Sequence, residues 1–395
     1  MLNFVRFWIL LSAWLVGGGW ILSALHQLNR AGYAVVLAFI LPVIFLWWEK
    51  SQPLSPNHLR GWRCKFQQRF RRRAPGLFLM IAALSFLSGC WYPALNYDTS
   101  AYRLPRVIHW LWAGQWHWIP AFDPRLNMAG CGMEWLSAPL ILFSHTDRLI
   151  FLINWLPYLM LPGLIFSVFT RLQVRARVAW WWTWLLSSGW CFALQASSSA
   201  NDSFATIYIL AAVDLALRAR EKQSVTDLWL SLLAAALATG VKQTNIPLPA
   251  LWLIAAWPAR SLFLKTPVRT ALVAGSAVLV SIVPISLLNY RHYGTWMPLN
   301  FASVTTLGHY QLKPFWGILG NAFCLPVQNL VPPYYELMPP LYSYWANLWN
   351  ELMGHFLNTA LGAHFLSFEK FGFLGSNNSH GLSESNAGLA SAFAC

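Results

Sequence analysis

EKSQPLSPNHLRGWRCKFQQRFRRRAPG, residues 49–76, sets eight cations (Lys50, Arg60, Arg63, Lys65, Arg69, Arg71, Arg72 and Arg73) against a single acid, Glu49. It lies between two apolar runs, 33–48 and 77–95. Short loops rich in Lys and Arg stay on the cytoplasmic side of a membrane. This loop is therefore expected to face the cytoplasm, and its placement fixes the direction of every other segment. Working outward, further apolar segments fall at 7–28, 149–169, 178–196, 203–217, 228–241, 247–258 and 270–290. A helix needs roughly 20 mostly apolar residues to span a bilayer. The segment 247–258 is shorter, and Pro247, Pro249 and Pro258 around it predict a broken or tilted helix.

Alternation from the basic loop puts Arg6 and three further basic clusters inside: Arg171/Arg175/Arg177, Arg218/Arg220/Lys222 and Arg260/Lys265/Arg269. Eighteen of the 27 cations then lie on the cytoplasmic side, while the outer side keeps nine cations and nine of the 13 acids. The agreement requires 96–148 to be one outer region, so the short apolar piece Trp135–Phe143 is expected to be a helix lying at the interface. Also outside are the turns Ser197–Asp202 and Lys242–Asn245 and the region from 291 to 395, which has no clean span and is broken by Pro326, Pro332–Pro333 and Pro339–Pro340. The first apolar run exceeds the roughly 7–15 residues of a signal-peptide core and is read as a retained helix. The domains expected are 1–76, two helices with the basic loop; 77–290, a membrane core; and 291–395, an outer region.

Composition agrees. Only 10% of residues are charged and 57% are hydrophobic, whereas soluble domains carry about 25% charged residues. Disorder is excluded by the same numbers. The net charge of +14 is explained by topology and gives no reason to expect a nucleic-acid partner. Many of the 25 tryptophans, among them Trp47–Trp48, Trp110/Trp112 and Trp180–Trp182, fall at segment ends and are expected to form interfacial belts. Aromatics within 110–118 have a second reading as the lining of a sugar pocket. The glycines Gly17–Gly19 read as a packing point in the first helix. The six cysteines show no CxxC or metal-type spacing, and a disulfide between Cys131 and Cys324 is left open. No Walker loop, GxGxxG, HExxH or GxSxG is present.

The residues that could carry chemistry gather on the outer side. Asp98 follows the third apolar run among Tyr97, Tyr102, Arg103, Arg106 and His109. Helix capping and catalysis are both open readings for it. Asp202 opens a later helix and has the same two readings. Lys242 sits at the outer end of an apolar helix, either as an interfacial lysine or as a partner for phosphate. Glu134, Arg291 and His292 are weaker candidates. Acids at membrane depth are costly and mark functional cavities.

The order of these motifs resembles the GT-C superfamily of polytopic glycosyltransferases, which includes protein O-mannosyltransferases and lipid A aminoarabinose transferases. The resemblance rests on Asp98 before Tyr102, Leu104, Pro105, Arg106, Val107, His109 and Trp110. It extends to Asn201-Asp202, to the small-residue helix Ala234–Lys242, and to Asn289, Tyr290, Tyr293 and Gly294. It covers roughly residues 77–390. The resemblance implies an all-α membrane bundle of about nine helices in a bacterial inner membrane, with the active site on the periplasmic face. It implies a polyprenyl-phosphate sugar donor, a lipid, glycan or protein acceptor, and transfer with inversion. Asp98 would be general base, Asp202 would orient the acceptor, and Arg103, Arg106, His109, Glu134, Lys242 and Arg291 would serve substrate and lipid phosphate. The paired acids usual in the family's first loop are here a lone Asp98 followed by Thr99, so no metal ligand set is expected. Family chains commonly continue with further helices, and a truncated chain is one expectation. A transporter or flippase of a lipid-linked or anionic solute is the alternative class, although no internal repeat supports it. A structural membrane subunit is a third.

Overall fold

A computed structural model describes residues 2–50, 67–92 and 98–296, with isolated positions 343, 344, 347 and 351. The centre of the basic loop and most of the expected outer region 291–395, Cys324 included, lie outside the described residues. The chain divides into two compact units, Met1–Ser187 with Gln195–Pro298 and Ser188–Leu194 with Leu299–Cys395. The helices of the bundle belong to the first unit, except that Trp190–Ala196 begins in the second.

Among the described residues every regular element is helical. The centre of the bundle is an antiparallel pair, Asp202–Lys222 and Val225–Val241. Their facing sides are small: Ala211, Ala212, Ala216 and Ala219 are buried on one helix and Ala234, Ala235 and Ala238 on the other. Small side chains let two backbones approach closely, which is how helices associate where burial from water adds nothing. The connection turns at Gln223 (φ 52°), and Ser224 caps the second helix by accepting the Asp227 N–H at 3.2 Å.

Against this pair packs the first helix, Leu2–Ala24, tied by a 2.5 Å bond from the Tyr208 hydroxyl to Ser12. Gly19 on it faces the Trp135 ring so closely that a Cβ there would lie 2.6 Å from a ring carbon. The helix Gly132–Ser144 is thereby drawn into the bundle, with Met133, Glu134, Trp135 and Leu136 all buried. The helix expected to be too short to cross is thus packed against the first helix. Its 13 residues extend only about 20 Å, short of the roughly 30 Å hydrocarbon core. Trp110, expected in an interfacial belt, is instead fully buried and stacks on Trp135 at 5.0 Å.

Among the described residues four helices are long and apolar enough to cross a membrane: Leu2–Ala24, Arg73–Trp91, Leu152–Arg171 and Gln243–Lys265. Pro267–Val280 and Val283–Tyr293, bent by 51°, make a fifth if they form one span. The nine apolar runs therefore do not give nine helices of full length and hydropathy. Asp202–Lys222 carries Asp214, Arg218 and Glu221, and Val225–Val241 has 17 residues. The run 178–196 is split into Ala176–Ser187 and Trp190–Ala196. The prolines around 247–258 act as expected: only Pro249–Ala256 is α-helical, between 3₁₀ turns Gln243–Asn245 and Trp257–Lys265.

Polar side chains collect at the two ends of the bundle. At one end Arg6 pairs with Asp227, Arg171 with Asp214 and Glu221, and Arg218 with Asp214. The other end holds Asp98, Arg103, Asn201, Asp202 and Lys242. Asp202 and Glu221 stand 19 positions apart on one helix, about 28 Å along its axis.

Candidate functional site

Asp98 caps no helix. It has helical backbone angles, makes no capping bond, and leads into a π-helical turn, Thr99–Arg103. That turn continues directly into Leu104–Ala113, whose second residue is Pro105. Single π turns recur at functional sites because they aim neighbouring side chains together. Here the Tyr102 hydroxyl donates to Asp98 Oδ2 at 3.1 Å, Arg103 Nη2 donates to the same oxygen at 3.2 Å, and Arg125 Nη1 reaches Oδ1 at 3.5 Å. The carboxylate remains about one-third exposed.

Tyr102 is the hub. The guanidiniums of Arg125, Arg103 and Arg106 lie 4.9, 5.5 and 5.5 Å from its ring centre. Burial pushes the Tyr102 hydroxyl above its ordinary pKa; Arg103 pulls it down, and Asp98 adds to the rise. The phenol therefore keeps its proton and donates it to Asp98 in a hydrogen bond.

Arg103 is buried and joins two parts of the chain. Nη2 donates to Asn201 Oδ1 at 2.6 Å and Nη1 to the Ser199 carbonyl at 2.7 Å. Asn201 in turn donates to the Val241 carbonyl at 3.2 Å. Immediately after Asn201 and Val241 come Asp202 and Lys242, and those two form an ion pair of 2.7 Å with both side chains partly exposed. Asp202 is the first residue of its helix, where Asn201 takes the cap position, and its carboxylate faces Lys242. Thus Asp98, Asp202 and Lys242, remote in sequence, are brought to one face. Capping explains neither acid.

Four other candidates are placed differently. Arg106 and Glu134 form a fully buried ion pair, so neither can meet a substrate directly. Arg106 also donates to the carbonyls of Ala129 (2.9 Å) and Gly130 (2.6 Å). His109 is exposed and lies 6.1 Å from the His117 ring. Burial, reinforced by His109, lowers the His117 pKa below its ordinary value. Arg291 is exposed at the end of its helix, while its neighbour His292 stacks on Trp118 at 4.5 Å. Trp116 lies 6.1 Å from the same imidazole. Cys131 is a buried free thiol whose pKa burial pushes up to about 12.

The residue that the sequence did not single out is Arg125. Asp123-Pro124-Arg125 closes on itself: Asp123 Oδ1 accepts the Arg125 backbone N–H at 2.9 Å, and the guanidinium grips the carboxylate at 2.7–3.1 Å. Burial pulls the Asp123 pKa up, but the hydrogen bonds and charge of Arg125 outweigh it and hold the carboxyl below its usual value. The loop after Arg125 is pinned from three distant places. Gln243 and Asn289 both donate to the Met128 carbonyl, Arg106 holds Ala129 and Gly130, and the Gly130 N–H donates to Gln243 Oε1 at 2.9 Å. These contacts fix Arg125 over Tyr102. An Asp-Pro-Arg turn was the available signal, but a turn of that kind is common and says nothing of where its arginine points.

A cavity of about 20 Å³ beneath Asp98, lined by Thr99, Arg103, Glu134, Ser137 and Ser199, holds about one water and no sugar. Any larger ligand must approach Asp98 from its exposed side. Among the described residues no three His, Cys, Asp or Glu side chains gather as metal ligands do. Comparison with protein-family models, with curated proteins and with solved structures gives no match.

Proposed function

We propose that this chain is a GT-C-type membrane glycosyltransferase of a bacterial inner membrane, with the Arg6–Asp227 end in the cytoplasm and the Asp98 end on the periplasmic side. It moves a sugar from a polyprenyl-phosphate donor to a hydroxyl of a lipid, glycan or protein acceptor. The observation that carries the reading is the half-open Asp98 carboxylate, oriented by Tyr102 and Arg103 and flanked by the partly exposed cation Arg125. The linked Asp202–Lys242 pair extends it.

In the proposed reaction Asp98 takes the proton of the acceptor hydroxyl. The acceptor oxygen forms its bond to the anomeric carbon while the bond from that carbon to the lipid phosphate breaks on the opposite face, inverting the centre. The departing phosphate gains negative charge, which Arg125 and Lys242 are suited to receive because both have exposed side-chain surface. Arg103 acts as a positioning residue: it is buried and committed to Asp98, Ser199 and Asn201. Asp202 holds Lys242 and orients the acceptor. Arg106 and Glu134 support the loop beneath and make no substrate contact.

The test is sugar transfer by the purified full-length chain in proteoliposomes supplied with a radiolabelled polyprenyl-phosphate sugar. Asp98→Asn keeps the shape and removes the base, so transfer is expected to fall about 10²–10⁴-fold. Unchanged transfer by the variant removes Asp98 from the chemistry. No transfer by the wild type, with movement of the labelled lipid between leaflets, would put the chain among flippases instead.

A further inference from the structure

We propose that Arg69, Arg72 and Trp180 form a binding site for the phosphate headgroup of an anionic phospholipid at the basic end of the bundle. The inference rests on the membrane-spanning reading and is independent of glycosyl transfer.

Gln68, Arg69, Arg72 and Trp180 line an open groove of about 280 Å³, near the lower limit of small-molecule pockets. Its floor is built rather than incidental. The Trp180 ring packs edge-on against Trp184 at 5.3 Å, and Trp184 is buried against Phe70 and Phe78 at 6.0 and 5.7 Å. The Arg72 guanidinium lies over the Trp180 ring, 5.4 Å from its centre. That leaves the fork of Arg72 beside Arg69, three positions earlier, with Gln68 as a third donor.

Among the described residues no carboxylate pairs with this charge. Elsewhere at this end Arg6, Arg171 and Arg218 each have a carboxylate. Among the described residues none pairs with Arg69 or Arg72, and the sequence has no Asp or Glu between Lys50 and Tyr97 that could do so locally. Two guanidiniums over a pocket fit a phosphate by parallel N–H···O bonds.

What distinguishes a lipid from a soluble phosphate is the surface beside the groove. The helix Arg73–Trp91 starts at its edge and exposes Leu77, Met80, Leu84 and Leu87, spaced three and four apart on one face. Trp181 is exposed on the neighbouring helix. A headgroup bound by the arginines would leave its acyl chains along that stripe.

The test uses the full chain in detergent micelles, with native mass spectrometry reading the lipids retained from equal mixtures of dioleoylphosphatidylglycerol and dioleoylphosphatidylcholine. The wild type is expected to prefer the anionic lipid, and Arg69→Gln/Arg72→Gln to lower its retention about tenfold. Trp180→Leu should lower it in the same direction while leaving both charges in place. Arg175→Gln/Arg177→Gln, an equal loss of charge outside the groove, should change it less than about twofold. No preference in the wild type overturns the site, and that result does not depend on the folding of any variant. Equal loss from the control pair overturns it in favour of unspecific charge. Displacement of the lipid by glycerol 3-phosphate at equal concentration overturns the lipid in favour of a soluble phosphate.

Discussion

Both polar ends of the bundle carry ion pairs, but only one of them also grips the backbone. At the end with Arg6 and Asp214, charged side chains on regular helices grip one another. At the end with Asp98, side chains grip backbone: Arg103, Arg106, Asn201, Gln243 and Asn289 all donate to carbonyls. Regular helices need only to be tied to one another, since most of their peptide groups are already paired. An irregular loop inside a packed bundle must have its carbonyls satisfied individually. The second end is consequently the one where backbone has been bent to aim Asp98, Tyr102 and Arg125, and it is there that chemistry is proposed.

The largest break in this comparison comes from Arg106 and Glu134. Either Arg106→Met or Glu134→Leu alone strands a buried charge and is expected to cost about 3–5 kcal/mol. The double variant should recover a large part, as read by thermal unfolding in detergent. If the singles cost no more than the double, the pair is not the keystone of the loop. Next is Asp214, buried between Arg171 and Arg218 at the opposite end. Asp214→Asn should cost about 1.5–3 kcal/mol and leave sugar transfer by the surviving folded fraction unchanged. A transfer defect larger than the loss of folded protein would mean the ends are coupled.

Smaller still is the partly exposed Asp202–Lys242 pair, where either substitution to Ala should shift stability by under about 1 kcal/mol. Its effect is expected on transfer rate, and an unaltered rate removes Lys242 from phosphate stabilisation. The smallest effect belongs to the Asp123–Arg125 clasp. Because the folded-state pKa of Asp123 is lowered, its contribution is present above the unfolded value of about 3.9 and is lost as pH falls through the folded value. Asp123→Asn should therefore be slightly less stable than the wild type at pH 7, with the gap closing in stronger acid. A gap that widens with acid would contradict the assignment.

The sequence showed the segments and the grouping of polar turns, and for a physical reason. Apolar length and the distribution of Lys and Arg are local quantities, and the grouping of Asp98, Asp202 and Lys242 on one side follows from alternation alone. The prolines near 247–258 likewise act on their own neighbours. What stayed hidden depends on pairings across the chain. Arg106 and Glu134 look like site residues because they are polar in an apolar region, yet 28 positions of separation conceal that they neutralise each other. Gly19 reads as a packing point, but nothing local says that its partner is Trp135. Arg125 was one of nine cations expected outside, and only the three donors to the loop after it decide where it points.

Those donors also impose an order on synthesis. The Met128 carbonyl waits for Asn289, 161 positions later. At about 5–20 residues per second, roughly 8–30 s separate the two on the ribosome. Throughout that interval the Met128 carbonyl has at most the Gln243 donor, so the loop behind Arg125 receives its last fastening only once the helix Val283–Tyr293 has been made.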